Sequence, residues 1–433
     1  MLFSCVNFDL PRGMRDLESD EFHNIGYVKE KFLECIPLFN FKLIEPSPIE
    51  MLSTLETKAG PNISNEIYNF TDKAGRKIAL RFDLTVGLTR FVTSRRDLKM
   101  PVKVAAFGGV WRYDEPQAGR YRYFHQWDIE IYDSFSNESD AEIIQFVSMF
   151  FKKLGLDVCI ELNDRQVMEK FVRQRLGVED KDRILEMFRA VDKVPKKGAD
   201  SVLREYKDKI QYSLLQRLID LSKTKGSIDE VVQSQRDLAE YIEKSRLVEL
   251  TDSLKSRRVN NVRINLGIVR GLDYYSGMVF ETFDPLNETG ALVGGGRYDN
   301  LSKAFGRKDV GATGAAGGVE RLILALAKHG ILRLNQSRVA YVAYTSNDVS
   351  KDALQVVSIL RNNGIAADYD LHGRTLRKQL DDASVKGASV TVIISPDEIK
   401  RGQVTIRSME DGGESKQQIS DIVKDVNELL LRS

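Results

Sequence analysis

The stretch that decides the fold runs from Val102 to Tyr132: VKVAAFGGVW over Val102–Trp111, RYDEPQAGRYRY over Arg112–Tyr123, and FHQWDIEIY over Phe124–Tyr132. Two apolar runs flank a loop rich in Arg and Tyr, which reads as two strands joined by a long connection. A similar pair lies upstream, where Tyr68–Phe70 and Ile78–Phe82 enclose the polar stretch Asp72–Lys77 with its Gly75. Further upstream, Phe22, Ile25, Val28, Phe32 and Cys35 recur at three- and four-residue steps and predict an amphipathic helix over Asp20–Cys35. Phe41–Ile44 reads as a short strand stopped by Pro46 and Pro48, and Asp83–Thr93 as a helix. Successive hairpins with helices segregated around them predict an α+β fold on an antiparallel sheet, not a βαβ-wound one.

Downstream the text changes twice. Between Arg165 and Arg258 glycine is sparse, and Ile, Leu and Val alternate with charge at helical spacing, as at Leu214, Leu215, Leu218 and Leu221. That segment reads as a helical insertion. Strand-like text returns at Val262–Ile268 and Met278–Thr282, before the glycine cluster Gly294–Gly296 and a helix from Gly317 to His329. After Asn335, strands at Val339–Tyr344, Ala366–Asp370, Val390–Ser395 and Val404–Arg407 alternate with helices at Lys351–Asn362, Leu376–Lys386 and the terminus. This is the pattern of a compact α/β domain of ordinary size. The expected organisation is the first part of a split domain over 1–164, the insertion over 165–258, the second part of that domain over 259–334 and the α/β domain over 335–433.

Composition narrows the class. The chain has 433 residues, with 64 Lys and Arg against 63 Asp and Glu, so it is no small basic module that coats nucleic acid non-specifically. Cys5, Cys35 and Cys159 are scattered, which fits neither a disulfide framework nor a cysteine zinc site. The four histidines, His23, His125, His329 and His372, lack HExxH spacing, so no zinc site is expected. Met1–Asp9 lacks the charged-then-apolar form of a secretory signal, and no run is long enough to span a bilayer. A soluble, cytoplasmic protein is the expectation.

The residues that call for chemistry are arginines beside glycines and aromatics: Arg112, Arg120 and Arg122 near one loop, Arg270 before Gly271, and Arg321 after Gly317–Gly318. A guanidinium offers a planar fork of donors that fits phosphate oxygens. Several forks converging on one pocket could hold a triphosphate without a P-loop, and the pattern GxxxxGK[ST] is absent.

The text around these arginines is specific. Trp111–Gln126 (WRYDEPQAGRYRYFHQ) resembles motif 2 of class II aminoacyl-tRNA synthetases, in its histidyl form, and Gly317–Leu322 (GGVERL) resembles motif 3. Arg270–Tyr275 (RGLDYY) is similar to the signature peculiar to histidyl-tRNA synthetases. Gly295–Asp299 (GGRYD) and Leu80–Thr85 (LRFDLT) are similar to two further blocks, and the five occur in the family's order.

The resemblance implies a two-step reaction on L-histidine, ATP and tRNA(His), with Mg2+ carried by phosphate oxygens and the chain working as a homodimer. Arg112 would hold the ATP α-phosphate, Arg120 and Arg321 the outer phosphates, and Phe124 would stack on adenine, with Asp114 near ATP or its magnesium. Arg270 would bridge the histidine carboxylate and the α-phosphate, so Arg270 and Arg112 are the implied catalytic pair. Asp83, Leu84, Thr85 and Gln126 would surround the α-ammonium, and Glu130, Tyr274, Tyr275 and Tyr298 the imidazole. On spacing alone Asp83 is a helix cap. His125 is equally suited to touching the pocket and to supporting it. The last domain resembles the anticodon-binding domain of several class II enzymes, with Arg374, Arg377 and Lys378 toward RNA and Gln117 and Arg122 toward the acceptor end. The alternative is a non-catalytic, synthetase-like regulatory subunit that senses histidine.

Motif 1 departs from the family pattern at Phe39-Asn40-Phe41, where Asn40 replaces a glycine. Asn tolerates the left-handed conformation, so the turn is expected to survive.

Overall fold

The computed structural model describes residues 8–113, 115, 121–132, 134–269, 275–286, 290–332 and 338–432, and divides into two compact units, Met1–Leu332 and Arg333–Ser433. The strands of the first unit are β1 (Lys42–Leu43), β2 (Ile49–Met51), β3 (Asn69–Thr71), β4 (Lys77–Leu80), β5 (Val102–Trp111), β6 (Tyr123–Tyr132), β7 (Cys159–Asp164), β8 (Lys225–Gly226), β9 (Val262–Asn265), β10 (Met278–Phe283), β11 (Val293–Arg297) and β12 (Ala312–Gly318). Nine of them form one sheet in the order β1-β5-β6-β12-β11-β10-β7-β9-β8, antiparallel except where β1 meets β5 and β7 meets β9. The α+β expectation holds. β2, β4 and β3 form a separate small sheet that contains the upstream hairpin, with Phe70 opposite Ile78.

The central pair β5–β6 sets two faces. Strand side chains alternate, so Trp127, Ile129 and Ile131 point to one side and Gln126, Asp128 and Glu130 to the other. The first set packs against α1 (Ser19–Cys35) and the helix Asn137–Leu154. Trp127 lies 5.7 Å from the Phe32 ring and 5.1 Å from the Phe150 ring. Replacing such a buried aromatic with alanine costs about 3–5 kcal/mol in typical cores. The helix Asn137–Leu154 starts on a cap, where Ser136 Oγ accepts from the Glu138 amide at 3.0 Å, and ends at Gly155 in the left-handed region. The opposite face of β6 is polar yet buried, which marks it as the site.

Two smaller features shape the approach to that face. Asn40 adopts φ 55° and ψ 36°, so the motif 1 turn survives its missing glycine. Arg81 lies buried under β5, donating from Nε to the Gly109 carbonyl at 2.8 Å and from Nη1 to the Pro46 carbonyl at 2.5 Å. It braces the hairpin against the chain entering the small sheet.

Between Arg165 and Ser256 the chain is helical apart from β8, and its apolar stripes extend the same core. One of these helices begins with a capping box at Ser227 and Glu230. Sequence reading misplaced one region: Gly294–Gly296 is the middle of β11, and Gly317–Gly318 ends β12 rather than starting a helix. Gly and Ala lack the β-branched signature, but β6 and β10 supply the flanking hydrogen bonds.

The second unit holds strands β13 (Ala340–Tyr344), β14 (Ala367–Tyr369), β15 (Val390–Ile394), β16 (Gln403–Ser408) and β17 (Glu414–Gln418) in the order β14-β13-β15-β16-β17. β14, β13 and β15 run parallel, with antiparallel β16 and β17 added at one edge. β17, with the sequence ESKQQ, has no apolar alternation to announce it.

Candidate active site

The polar face of β6 lines a cavity of about 1040 Å³ in the first unit. Asp83, Thr85, Arg112, Phe124, Gln126, Glu130, Tyr275, Tyr298 and Arg321 all contribute to its wall. Of the other expected residues, Asp114, Gln117, Arg120, Arg270 and Tyr274 lie outside the described residues.

One end of the wall is acidic. Asp83 precedes helix α2 (Thr85–Ser94) and uses its two oxygens differently. Oδ1 accepts from the Val86 amide at 3.1 Å, as the helix-cap reading expects, while Oδ2 accepts from Lys58 Nζ at 2.7 Å. Next to it the Thr85 hydroxyl donates to Asp128 Oδ2 at 3.0 Å, and Gln126 Nε2 donates to Asp128 Oδ1 at 2.7 Å. Glu130 accepts a hydrogen bond from the Tyr298 hydroxyl. Burial raises the Asp128 carboxyl to about 7. Glu130 is pushed well above the usual carboxylate range, first by burial and then by the charge of Asp128. Burial and the carboxylate of Glu130 raise the Tyr275 phenol as well.

Room beside Glu130 is made by glycine. Gly314 on β12 sits opposite Glu130 in the ladder, and a Cβ there would lie 1.5 Å from Glu130 Oε2. The glycine therefore keeps that spot free of side chain. This is a close-approach requirement, not one of backbone freedom.

The other end is cationic. Arg112 Nε donates to the Phe82 carbonyl at 2.9 Å, its Nη2 to Gln126 Oε1 at 3.3 Å, and its guanidinium stands 5.1 Å from the Phe124 ring centre. Arg321 extends from the first turn of helix α3 (Val319–Lys328), where its Nη1 donates to the Ala291 carbonyl at 2.9 Å. Its neighbour Glu320 accepts from the His125 amide at 2.9 Å and lies 3.0 Å from His125 Nδ1, which ties the start of β6 to α3. His125 thus supports the wall that carries Phe124 and Arg321.

Two expected residues sit elsewhere. Leu84 is fully buried in an apolar cluster with Leu88 and Val92 and lines no part of the cavity; its side chain is core. Arg122 is also buried: Nη1 donates to the Arg12 carbonyl at 3.0 Å, and the guanidinium stacks 3.9 Å from the Tyr113 ring centre. It braces the base of the motif 2 loop instead of meeting solvent as an RNA contact would. In the second unit Arg374 is engaged by Asp370 and by Asp382, the latter at 2.8 Å, whereas Arg377 and Lys378 are exposed.

Sequence reasoning missed Lys58, Asp128 and Glu320. Asp128 was within reach, because alternation along Gln126, Asp128 and Glu130 places all three on one face. Lys58 had no signal, since the short helix Leu52–Ala59 carrying it went unread. Glu161 also escaped notice. It lines the cavity from β7, where Arg263 Nε at 2.8 Å, Lys225 Nζ at 3.0 Å and Asn265 Nδ2 at 2.6 Å hold it. Burial alone would raise its carboxyl, but these donors keep it below the usual range.

A largely antiparallel sheet whose open face sets arginines against a carboxylate wall defines the class II aminoacyl-tRNA synthetase type that the motifs suggested. Comparison with known proteins narrows this. Residues 13–322 match the histidyl-tRNA synthetase family and residues 336–429 the anticodon-binding domain family. A histidine–tRNA ligase of Pyrococcus furiosus is 33% identical over 422 residues, covering 95% of this chain and 97% of its own. One from Pyrococcus horikoshii is 34% identical over 430 residues, covering 97% and 99%. The crystal structure of histidyl-tRNA synthetase from Nostoc sp. PCC 7120 superposes with a TM-score of 0.80 at 26% identity, over 98% of this chain and 99% of that one. The chain belongs to the histidyl-tRNA synthetase family.

Proposed function

We propose that this chain activates L-histidine with ATP to histidyl-adenylate, releasing pyrophosphate, and transfers the histidyl group to the 3′ end of tRNA(His). The observation that carries the reading is the division of one cavity into an acidic end (Asp83, Thr85, Gln126, Glu130) and a cationic end (Arg112, Arg321). An amino acid supplies an ammonium and a ring for the first and a triphosphate supplies anions for the second. They meet where Arg112 already donates to Gln126.

In this reading Asp83 and Thr85 receive the α-ammonium beside Gln126, while Glu130, Tyr274, Tyr275 and Tyr298 read the imidazole nitrogens. Arg112 and Arg270 neutralise charge as the carboxylate attacks the α-phosphate. Phe124 stacks on adenine, Arg120 and Arg321 hold the outer phosphates, and Asp114 assists near them. Mg2+, a hard ion that takes oxygen ligands, belongs on the ATP phosphates in this reading, and no step is assigned to a protein-bound ion. Arg377 and Lys378 face RNA from the second unit, with Arg374 shaping the helix start, and Gln117 reaches the acceptor end.

The relatives named as ligases align along nearly the whole chain, the second unit included, which favours this reading over a histidine-sensing regulatory subunit. A homodimer is supported by exposed apolar side chains on the sheet-edge strand β1 and the small sheet: Leu43, Ile49, Met51 and Phe70. No helix among the described residues is long and apolar enough to cross a membrane, and a cytoplasmic location fits the activity. Histidine-dependent ATP–pyrophosphate exchange tests the reading directly. Exchange with histidine and with no other amino acid is expected; histidine binding without exchange would establish the regulatory alternative.

A further inference from the structure

Asp128 touches neither end of the cavity directly, yet it holds both groups that flank Asp83 in the ammonium subsite. It is completely buried, and its two oxygens are divided between the Thr85 hydroxyl at 3.0 Å and the Gln126 amide nitrogen at 2.7 Å. Toward each partner it acts as the acceptor. It therefore consumes the single donor hydrogen of Thr85 and turns the donor side of the Gln126 amide away from the cavity. What remains toward the cavity is acceptor: a lone pair on Thr85 Oγ1 and the Gln126 carbonyl oxygen. Arg112 Nη2 reports the same polarity, because it donates to that oxygen.

We propose that Asp128 is a positioning residue that fixes the hydrogen-bond direction of Thr85 and Gln126, so that the subsite presents acceptors only and selects a ligand carrying an ammonium. The inference rests on the reading that this cavity binds histidine. Without Asp128 both groups are free to rotate. A hydroxyl can then point its proton inward, and an amide can offer its NH2, each meeting the ammonium donor to donor. Asp83 alone would remain as an oriented acceptor, and Lys58 already contests it at 2.7 Å.

The test separates direction from mere support. Histidinol keeps the ammonium and lacks the carboxylate; imidazole-4-propionate keeps the carboxylate and lacks the ammonium. Their inhibition constants against histidine-dependent exchange, or their calorimetric affinities, are measured in wild type and in Asp128→Asn. Asn has nearly the same shape but adds a donor, so at least one partner must reverse. Losing one or two charge-assisted contacts should raise the histidinol constant roughly tenfold to a hundredfold, with imidazole-4-propionate and the KM for ATP within about twofold. If Asp128→Asn fails to fold, as judged by thermal unfolding, Asp128→Ser removes both acceptors without crowding and should show the same selective loss. An equal loss for both ligands would make Asp128 a structural brace, and no change for either would dismiss it; both results overturn the proposal. A wild type that binds imidazole-4-propionate as tightly as histidine would show that the cavity does not read an ammonium, which overturns the histidine reading as well.

Discussion

Gly314→Ala is the sharpest probe of the ring end of the cavity. The added methyl would lie 1.5 Å from Glu130 Oε2, 2.4 Å from Glu130 Cδ and 2.6 Å from the Ile129 carbonyl oxygen, where ordinary contact begins at 3.4 Å. Relieving the first overlap alone needs 3.4 − 1.5 = 1.9 Å of movement. Glu130 has little freedom to give it. The carboxyl is buried and held by the Tyr298 hydroxyl, and the Ile129 carbonyl belongs to the ladder itself. Overpacking of this kind typically costs about 1–3 kcal/mol of stability, and Glu130 escapes only by swinging into the space assigned to imidazole. Loss of a hydrogen bond to a charged or strongly polarised group is worth about 1.5–3 kcal/mol, so the KM for histidine should rise by roughly ten- to a hundredfold. The assay is ATP–pyrophosphate exchange with histidine and ATP varied separately, alongside thermal unfolding. Gly294→Ala is the control: it lines the same cavity, and a Cβ there meets nothing within 4 Å. A folded Gly314→Ala protein with a histidine KM within twofold of wild type would refute the placement of the ring beside Glu130.

Three further outcomes are expected. Glu130→Gln should raise the histidine KM far more than the ATP KM; equal effects on both would make Glu130 structural. Asp128 ionises near 7 in the fold against an ordinary 3.8, so the folded state holds its proton longer, and its contribution to stability falls as pH rises from about 4 to about 7. Asp128→Asn removes that loss while Glu130, Asp83 and Lys58 stay in place around it. The variant's stability relative to wild type should therefore climb by up to about 4 kcal/mol across that window, and a pH-independent difference in denaturant midpoints would contradict it. Gly26, inside α1 with open space around its Cβ position, should gain about 0.5–1 kcal/mol on conversion to Ala, read as a higher unfolding midpoint with unchanged exchange.

What the sequence disclosed follows from which signals are local. The β5–β6 pair was legible because an apolar run fills Val102–Trp111 and apolar–polar alternation follows the loop from Trp127 to Ile131, and the structure returns Val102–Trp111 unchanged. Gln126 and Glu130 came from the resemblance to the family's motifs, and their two- and four-residue spacing on β6 puts them on one wall with Asp128. β11 and β12 were not legible, because their glycines and alanines are strand residues only through partners on β6 and β10. Arg122 was expected toward the acceptor end of RNA, but it donates to the Arg12 carbonyl, 110 residues away in the chain. Lys58 reaches Asp83 across 25 residues from an unread helix. In each case the deciding contact is tertiary, and periodicity carries no information about it.

The charge distribution explains why such contacts matter for the site. Asp83, Asp128 and Glu130 are all buried on adjoining elements, an arrangement that a protein sustains only by neutralising or pairing its carboxylates. The structure uses three devices. Asp83 is paired with Lys58, Asp128 takes two donor hydrogen bonds and titrates near 7, and Glu130 is driven toward its protonated form. Only the first of these uses a cation, so a single ammonium group stands against three carboxyls. A ligand that brings its own ammonium satisfies Asp83 and favours the ionised form of Asp128 behind it, and protonated Glu130 can donate to an unprotonated ring nitrogen. A neutral or anionic molecule does none of this and still has to displace Lys58. On the proposed reading, selectivity for a cationic amino group arises from an acidic wall left incompletely neutralised, with Lys58 occupying the position that the substrate's ammonium would take.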